Sequence, residues 1–158
     1  MRRLLILLIL LALIGLGLVA ATLAMNQVPL QAEPGTAERL RAYLGNNRVE
    51  TVQGSRFPER EPILLRLPPD AAYEEVREAI RDLGWDVLAE HAPSRKLHAE
   101  VRTPLLGFRD DFRVRVEPAP SGSRIQIHAS SRVGQADFGA NTRHLLDFKQ
   151  VLGQRVRD

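Results

Sequence analysis

Residues 130–143 read Ser-Ser-Arg-Val-Gly-Gln-Ala-Asp-Phe-Gly-Ala-Asn-Thr-Arg, and they join the last predicted strand to the last predicted helix. Gly134 permits a backbone turn that other residues resist. Asp137 is placed to cap the following helix, because its carboxylate can accept hydrogen bonds from free amide groups of the first turn. The stretch therefore predicts a strand–turn–helix junction.

Upstream of this junction, apolar residues alternate with charged residues, which is typical of half-buried strands. The alternation predicts five strands, which centre on residues 63–67, 85–89, 97–101, 112–117 and 125–129. Short segments join the last four strands, including a loop at residues 103–107, and such short connections favour antiparallel pairing.

Two helices are predicted from apolar residues at helical spacing. The first follows Pro68-Pro69-Asp70 and ends at Gly84, and the second runs from about Phe138 to Val156. Packing both helices on one face of the sheet buries every apolar stripe. We therefore predict an α+β fold: an antiparallel β-α-β4-α sheet with two helices on one face, preceded by one N-terminal transmembrane helix.

The N-terminal segment begins Met1-Arg2-Arg3 and continues with apolar residues 4–24. A helix needs about 20 apolar residues to cross a bilayer, whereas the apolar core of a cleaved signal usually has about 7–15. We expect a transmembrane anchor over residues 1–25, with cleavage as a signal peptide after Ala21 as the alternative.

Two further segments complete the predicted organisation: a linker with a short helix over residues 26–61, and an α+β domain over residues 62–158. The arginines that precede the apolar segment favour a cytoplasmic N-terminus. We therefore expect a single-pass protein of the bacterial inner membrane, with its C-terminal domain in the periplasm.

The overall composition argues against several classes of function. The net charge is +3 with both signs interspersed, and the chain has no cysteine. Nucleic-acid binding requires a clustered basic patch, so we expect no nucleic-acid partner. No serine lies in a GxSxG elbow, no glycine loop suits a phosphate, and the histidines lack zinc-motif spacing. We predict no enzymatic activity, no catalytic residue, no metal site and no cofactor.

Charged and amide side chains collect around the predicted junction and form the candidate site. Its members are Arg109, Asp110, Asp111, Arg132, Asp137, Asn141 and Arg143. One interpretation is a structural clamp: Asp137 caps the helix and Asn141 bonds to loop backbone, while the arginines pair with Asp110 or Asp111. The other is a binding site for an anion or a partner, because arginines and a helix N-terminus suit a carboxylate or phosphate. Asp110 and Asp111 are adjacent in a strand and point to opposite faces, which excludes a catalytic carboxylate pair.

The sheet face without helices is predicted to be strongly polar. The residues expected on it are Arg66, Asp86, Glu90, His98, Glu100, Arg102, Arg113, Arg115, Glu117, Arg124, Gln126 and His128. Such a face is either solvated and crossed by ion pairs between strands, or a docking surface for a partner or for lipid headgroups.

Several short motifs resemble those of the family with the domain of unknown function 1499. They are Gly107-Phe108-Arg109-Asp110-Asp111, Ser123-Arg124, Leu83-Gly84-Trp85 and, above all, Ser130-Ser131-Arg132-Val133-Gly134 with Asp137, Gly139, Asn141 and Arg143. The entry segment Asn47–Thr51 is similar too, although it lacks the cysteine and prolines often found there. The resemblance covers about residues 46–152. It implies a membrane-associated or exported bacterial protein and supplies no catalytic residue.

These observations favour a non-enzymatic, membrane-anchored domain outside the cytoplasm. We expect it to contact the bilayer through residues 4–24 and to serve as an accessory or interaction subunit of a membrane protein complex. The first alternative is a module that binds a lipid or small amphipathic ligand between the sheet and the last helix. The second is an envelope hydrolase, which rests on aspartate and histidine residues alone.

Overall fold

A computed structural model describes residues 1–103 and 107–157 of the chain, so most of the predicted loop at residues 103–107 lies outside the described residues. The helices are α1 (Arg2–Met25), α2 (Thr36–Gly45), α3 (Pro69–Asp82) and α4 (Ala140–Arg155). The strands are β1 (Arg48–Glu50), β2 (Ile63–Leu65), β3 (Asp86–His91), β4 (Lys96–Arg102), β5 (Arg109–Ala119) and β6 (Gly122–Ser131).

The strands form one antiparallel sheet in the order β1-β6-β5-β4-β3, and β2 pairs with β6 further along the same edge as β1. β1 is a strand beyond the five predicted. Beyond β1, the amide of Thr51 donates to the carbonyl of Ile127 at 2.9 Å, and the Thr51 hydroxyl accepts from the Ile127 amide at 2.8 Å. These bonds satisfy an edge that would otherwise expose unpaired backbone groups.

Helices α3 and α4 cover one face of the sheet, as the apolar stripes predicted. The ring of Phe112 on β5 lies at the centre of the core, 4.7 Å from the ring of Trp85 and 5.2 Å from that of Phe148 on α4. Packing of these stripes supplies most of the stability of such short helices. The α+β fold class is therefore confirmed. In the described part of the chain, no helix lies on the opposite face of the sheet, called the open face below.

One part of the predicted open face is wrong. Strand β3 contains a bulge between Val87 and Ala89, which moves Ala89 opposite His98 on the open face and Glu90 opposite Leu97 on the helix face. The extra residue of a bulge reverses the alternation that follows it. Glu90 consequently accepts a hydrogen bond from Arg77 of α3 at 2.9 Å.

Helix α1 is long and apolar enough to cross a bilayer, although a signal sequence can share that length and composition. Its last turn packs on the domain, because the side chain of Leu23 is buried in a small cluster with Val28 and Tyr43. Asn26 fixes the same point, since its Nδ2 donates to the carbonyl of Phe138 at 2.9 Å. The end of α1 is thus bound to the segment that precedes α4.

Residues 26–61 are more structured than a simple linker. The guanidinium of Arg39 on α2 is fully buried and makes two hydrogen bonds to the Glu59 carboxylate, at 2.7 and 2.9 Å. It also donates to the hydroxyl of Tyr43 at 2.7 Å. A buried guanidinium must be paired to be tolerated, and here the pairing joins α2 to the residues that lead into β2.

Candidate functional site

The turn before α4 is built around the carboxylate of Asp137. It accepts hydrogen bonds from the amides of Gly139 at 2.8 Å and Asn141 at 3.1 Å, and from Nδ2 of Asn141 at 2.8 Å. Asp137 thus bonds to one amide of the first turn as expected, although it lies two residues before Gly139, the N-cap position. The helix starts later than predicted, at Ala140, because Phe138 (φ 51°) and Gly139 (φ 84°) adopt left-handed backbone conformations that interrupt helical geometry.

Asn141 joins three segments of the chain. Its side chain is fully buried, and Nδ2 also lies 3.0 Å from the carbonyl of Asn47 and 3.0 Å from Oγ of Ser131 on β6. The side chain of Asn47 bonds to the same turn, because its Nδ2 donates to the carbonyl of Gly134 at 2.6 Å. This network fixes residues 131–141 against the entry to β1, as the predicted bond to loop backbone required.

Asp110 lies on the helix face of β5 and is 1% exposed. Its Oδ2 is 2.9 Å from Nε2 of His144 on α4, whereas Oδ1 has no hydrogen-bond partner among the described residues. A buried polar atom without a partner carries a free-energy penalty of about 1–3 kcal/mol.

Burial raises the pKa of nearby Asp137, and the negative charge of Asp110 adds to that shift.

Asp111, the next residue, faces the opposite side, as predicted. Its Oδ1 is 2.8 Å from Nη2 of Arg132 and 2.8 Å from Nε2 of His98. Partial burial opposes ionisation of Asp111, but the hydrogen bonds from Arg132 and His98, with the charge of Arg113, outweigh it and lower the pKa to about 2. Asp111 is therefore a stable anion on the open face.

The two remaining arginines of the candidate site have separate partners. Arg109 lies 3.6 Å from Glu100, which is buried on the open face and also pairs with Arg132 at 2.8 Å. Arg143 pairs with Asp147 one turn along α4 and donates to Oε1 of Gln27 at 3.0 Å. The seven predicted residues are thus divided between the open face, the helix face of β5, the turn before α4 and the outer surface of α4, and they form no single cluster.

The turn before α4 borders a pocket of about 320 Å³ that the end of α1 helps to enclose. Met25 of α1, Phe108 and Val133 are large apolar side chains that line it and remain at least half exposed. Asp110 and Asp137 are the acidic residues of its lining. We call this space the junction pocket.

A wider groove of about 930 Å³ runs over the open face and reaches the segment at residues 50–53. Register places His98, Arg113 and His128 in one row across β4, β5 and β6, and Lys96 directly opposite Arg115 in the next row. We call this surface the sheet groove. Side chains of three strands meet there, which places basic residues of distant sequence positions side by side.

Sequence reasoning missed His144 and the contribution of α1 to the junction pocket. The signal for His144 was available, because His144 lies three residues after Asn141 and next to Leu145 on the apolar stripe of α4. Polar residues within a buried stripe need partners. No comparable signal links Met25 to Val133, since their proximity depends on the whole fold.

Comparisons with known proteins agree with the short motifs. A comparison with curated proteins gives no match. The model of one family, described as protein of unknown function (DUF1499), matches residues 35–152. The matched range begins just before α2 and includes the complete sheet, the Arg39–Glu59 pair and all seven residues of the candidate site. The chain belongs to the DUF1499 family of proteins of unknown function.

Proposed function

We propose that this chain is a non-enzymatic, membrane-anchored domain outside the cytoplasm, and that it acts as an accessory or interaction subunit of a membrane protein assembly. The observation that carries the proposal is the sheet groove. The helix face is buried under α3 and α4, whereas the open face carries an uncovered groove of about 930 Å³, with charged and apolar side chains in its lining. A domain held at a membrane by α1 would offer this surface to neighbours in the same membrane.

One pair of basic residues in the sheet groove favours an acidic partner. Lys96 and Arg115 are directly opposite each other on neighbouring strands, and like charges at such positions are unfavourable. Arg115 has Glu117 at 3.2 Å, while Lys96 has no ion pair among the described residues. A carboxylate between Lys96 and Arg115 would relieve their repulsion. We therefore propose an acidic extracytoplasmic segment of a membrane protein as the partner.

The histidines support a binding role over hydrolysis. His98 and His144 are each held by an aspartate. His91 contacts the hydroxyl of Ser94 at 2.8 Å, but the two residues belong to one exposed turn. A hydrolytic serine needs a histidine that a third group orients, and no such arrangement occurs among the described residues. This is the basis for proposing a protein without enzymatic activity.

The test uses the absence of cysteine from the chain. Gln126→Cys places one thiol in the sheet groove for a photoactivatable crosslinker, which is activated in intact membranes. We expect adducts that map to acidic extracytoplasmic segments of membrane proteins. Adding Lys96→Glu and Arg115→Glu should reduce them at least about tenfold. The control Arg41→Glu reverses an exposed charge on α2 and should leave the yield unchanged. Equal adduct yields with and without the Lys96→Glu and Arg115→Glu substitutions would contradict the proposal.

A second candidate function, binding of a lipid or small amphipathic ligand, is favoured by the junction pocket. The space first expected to hold such a ligand, between the sheet and the last helix, is filled by packed rings such as Phe112 and Phe148. The junction pocket lies instead at the N-terminal end of α4, beside the last turn of α1. It combines apolar walls with a few polar groups, which is typical of small-molecule sites.

A further inference from the structure

The location of the junction pocket identifies the source of its ligand. Thr22, Met25 and Asn26 at the end of α1 line it. A helix of 24 residues is about 36 Å long, while the hydrocarbon core of a bilayer is about 30 Å thick. When α1 crosses a bilayer, its last turn therefore lies in the headgroup layer. The junction pocket then opens where lipid headgroups are concentrated.

The rim of the junction pocket is suited to that layer. Val133 is 69% exposed, Met25 53% and Phe108 50%. These three side chains come from different parts of the chain and converge on one mouth. Exposed apolar side chains that cluster are a sign of contact with a membrane or another apolar surface. We take the rim as the part of the domain that touches the acyl boundary.

The inner wall of the junction pocket is acidic. Asp110, whose buried Oδ1 has no partner among the described residues, lines the pocket together with Asp137. Among the described residues that line the pocket there is no lysine, arginine or histidine. His144 reaches Asp110 from the core and uses only Oδ2. The pocket therefore offers a strong acceptor to a ligand that carries hydrogen-bond donors and positive charge.

We propose that the junction pocket binds the primary ammonium headgroup of a bilayer glycerophospholipid, such as phosphatidylethanolamine. The ammonium donates to Oδ1 of Asp110, and the acyl chains stay in the bilayer beside α1. A volume of about 320 Å³ is at the low end for small-molecule sites, which fits a headgroup and excludes a whole lipid. A choline headgroup has no N–H donor and cannot satisfy Oδ1. The inference rests on the second candidate function above.

The test measures the lipids that the full chain retains. The protein is placed in bilayer nanodiscs of phosphatidylethanolamine and phosphatidylcholine in equal amounts, extracted in mild detergent, and its bound lipids are quantified by mass spectrometry. We expect phosphatidylethanolamine to be enriched about tenfold, as a charge-assisted hydrogen bond to a buried acceptor implies. Asp110→Asn should abolish the enrichment, and the control Asp86→Asn, an exposed carboxylate on the open face, should keep it.

A second variant tests the proposal independently, in case Asp110→Asn does not fold. Val133→Lys changes an exposed rim residue and adds a positive charge that repels the ammonium, so it should also reduce the enrichment. Free ethanolamine added in excess should compete only weakly, because it lacks the acyl chains. Equal retention of both lipids, or preferential retention of another headgroup, would overturn the ammonium assignment while leaving a lipid-binding function. Retention of no lipid would overturn both, and neither result alters the crosslinking test at Gln126.

Discussion

Asp110 and His144 form a buried pair that uses only one of the two carboxylate oxygens: Oδ2 lies 2.9 Å from Nε2 of His144, and Oδ1 has no partner among the described residues. The pair connects β5 to α4 at the end of the apolar core, where the ring of His144 also lies 6.0 Å from that of Trp85. It holds the Asp110 carboxylate against the junction pocket.

Replacing His144 tests the structural part of this pair. In His144→Ala the Asp110 carboxylate loses its donor while it remains buried, so the free energy of unfolding should fall by about 1–3 kcal/mol. Urea unfolding followed by circular dichroism measures the change. His128→Ala on the open face is the control and should change stability by less than about 0.5 kcal/mol. Equal effects of the two substitutions would show that the pair contributes nothing specific.

The Arg39–Glu59 pair predicts a larger effect. Arg39→Met leaves the Glu59 carboxylate buried without its main partner, and the free energy of unfolding should fall by about 3–5 kcal/mol. Adding Glu59→Leu removes the stranded charge, so the double variant should recover much of the loss. The pair Arg56–Glu38 is largely exposed, and Arg56→Met should cost no more than about 1 kcal/mol. A double variant less stable than Arg39→Met would contradict the argument.

Asp111 gives the domain a defined response to acid. Its pKa is about 2 in the folded chain, compared with an ordinary value of 3.8. As the pH falls, Asp111 is therefore protonated at a higher pH in the unfolded chain than in the folded chain. The stabilisation is complete above pH 3.8 and is lost as the pH falls through about 2, and it amounts to roughly 2 kcal/mol.

The measurement for Asp111 is the free energy of unfolding at several pH values. Asp111→Asn should be less stable than the parent chain at neutral pH and should lose less stability between about pH 5 and pH 2. Asp86→Asn, on the same face but exposed, should follow the parent curve. Parallel curves for Asp111→Asn and the parent would show that Asp111 does not carry the acid response.

Gly139 has two separate reasons to be glycine. Its φ of +84° is unfavourable for other residues, and a Cβ there would collide with the side chain of Val28. Gly134 has a similar φ of +87°, but no side chain of the described residues comes close to its Cβ position. Gly134→Ala should therefore cost about 1–2 kcal/mol from backbone strain alone. Gly139→Ala should cost at least about 1 kcal/mol more, measured by urea unfolding, and equal costs would exclude the steric contribution.

The alternation of apolar and charged residues was sufficient to predict the antiparallel sheet and its two faces. Asp110 and Asp111 show this directly, because their opposite orientations follow from adjacency in a strand. Glu90 shows the limit. A bulge adds one residue without a sequence signature in β3, and every later side chain of that strand changes face.

The spatial grouping and the partners of the candidate-site residues were harder to predict than the residues themselves. Asp137 acts within a few residues of its partners, so local spacing was enough, whereas Asn141 also bonds to the carbonyl of Asn47, far away in the sequence. Arg143 was assigned to the same corner, although Asp147 lies four residues later and offers an ion pair within α4. The contact between His144 and Asp110 joins residues far apart in sequence and depends on the register of β5 beneath α4, which spacing alone does not specify.

The connection between α1 and the domain also has a mechanical consequence. Only Asn26 and Gln27 separate Met25 from the buried Val28, and the side chains of both are hydrogen-bonded to the region around α4. If α1 crosses a bilayer as proposed, this short connection does not act as a hinge between α1 and the domain. The domain then keeps one rotation about the helix axis and one height above the lipid. Bilayers of different thickness tilt such helices by different angles. The sheet groove would then tilt with them, so that membrane thickness could determine which neighbours it meets.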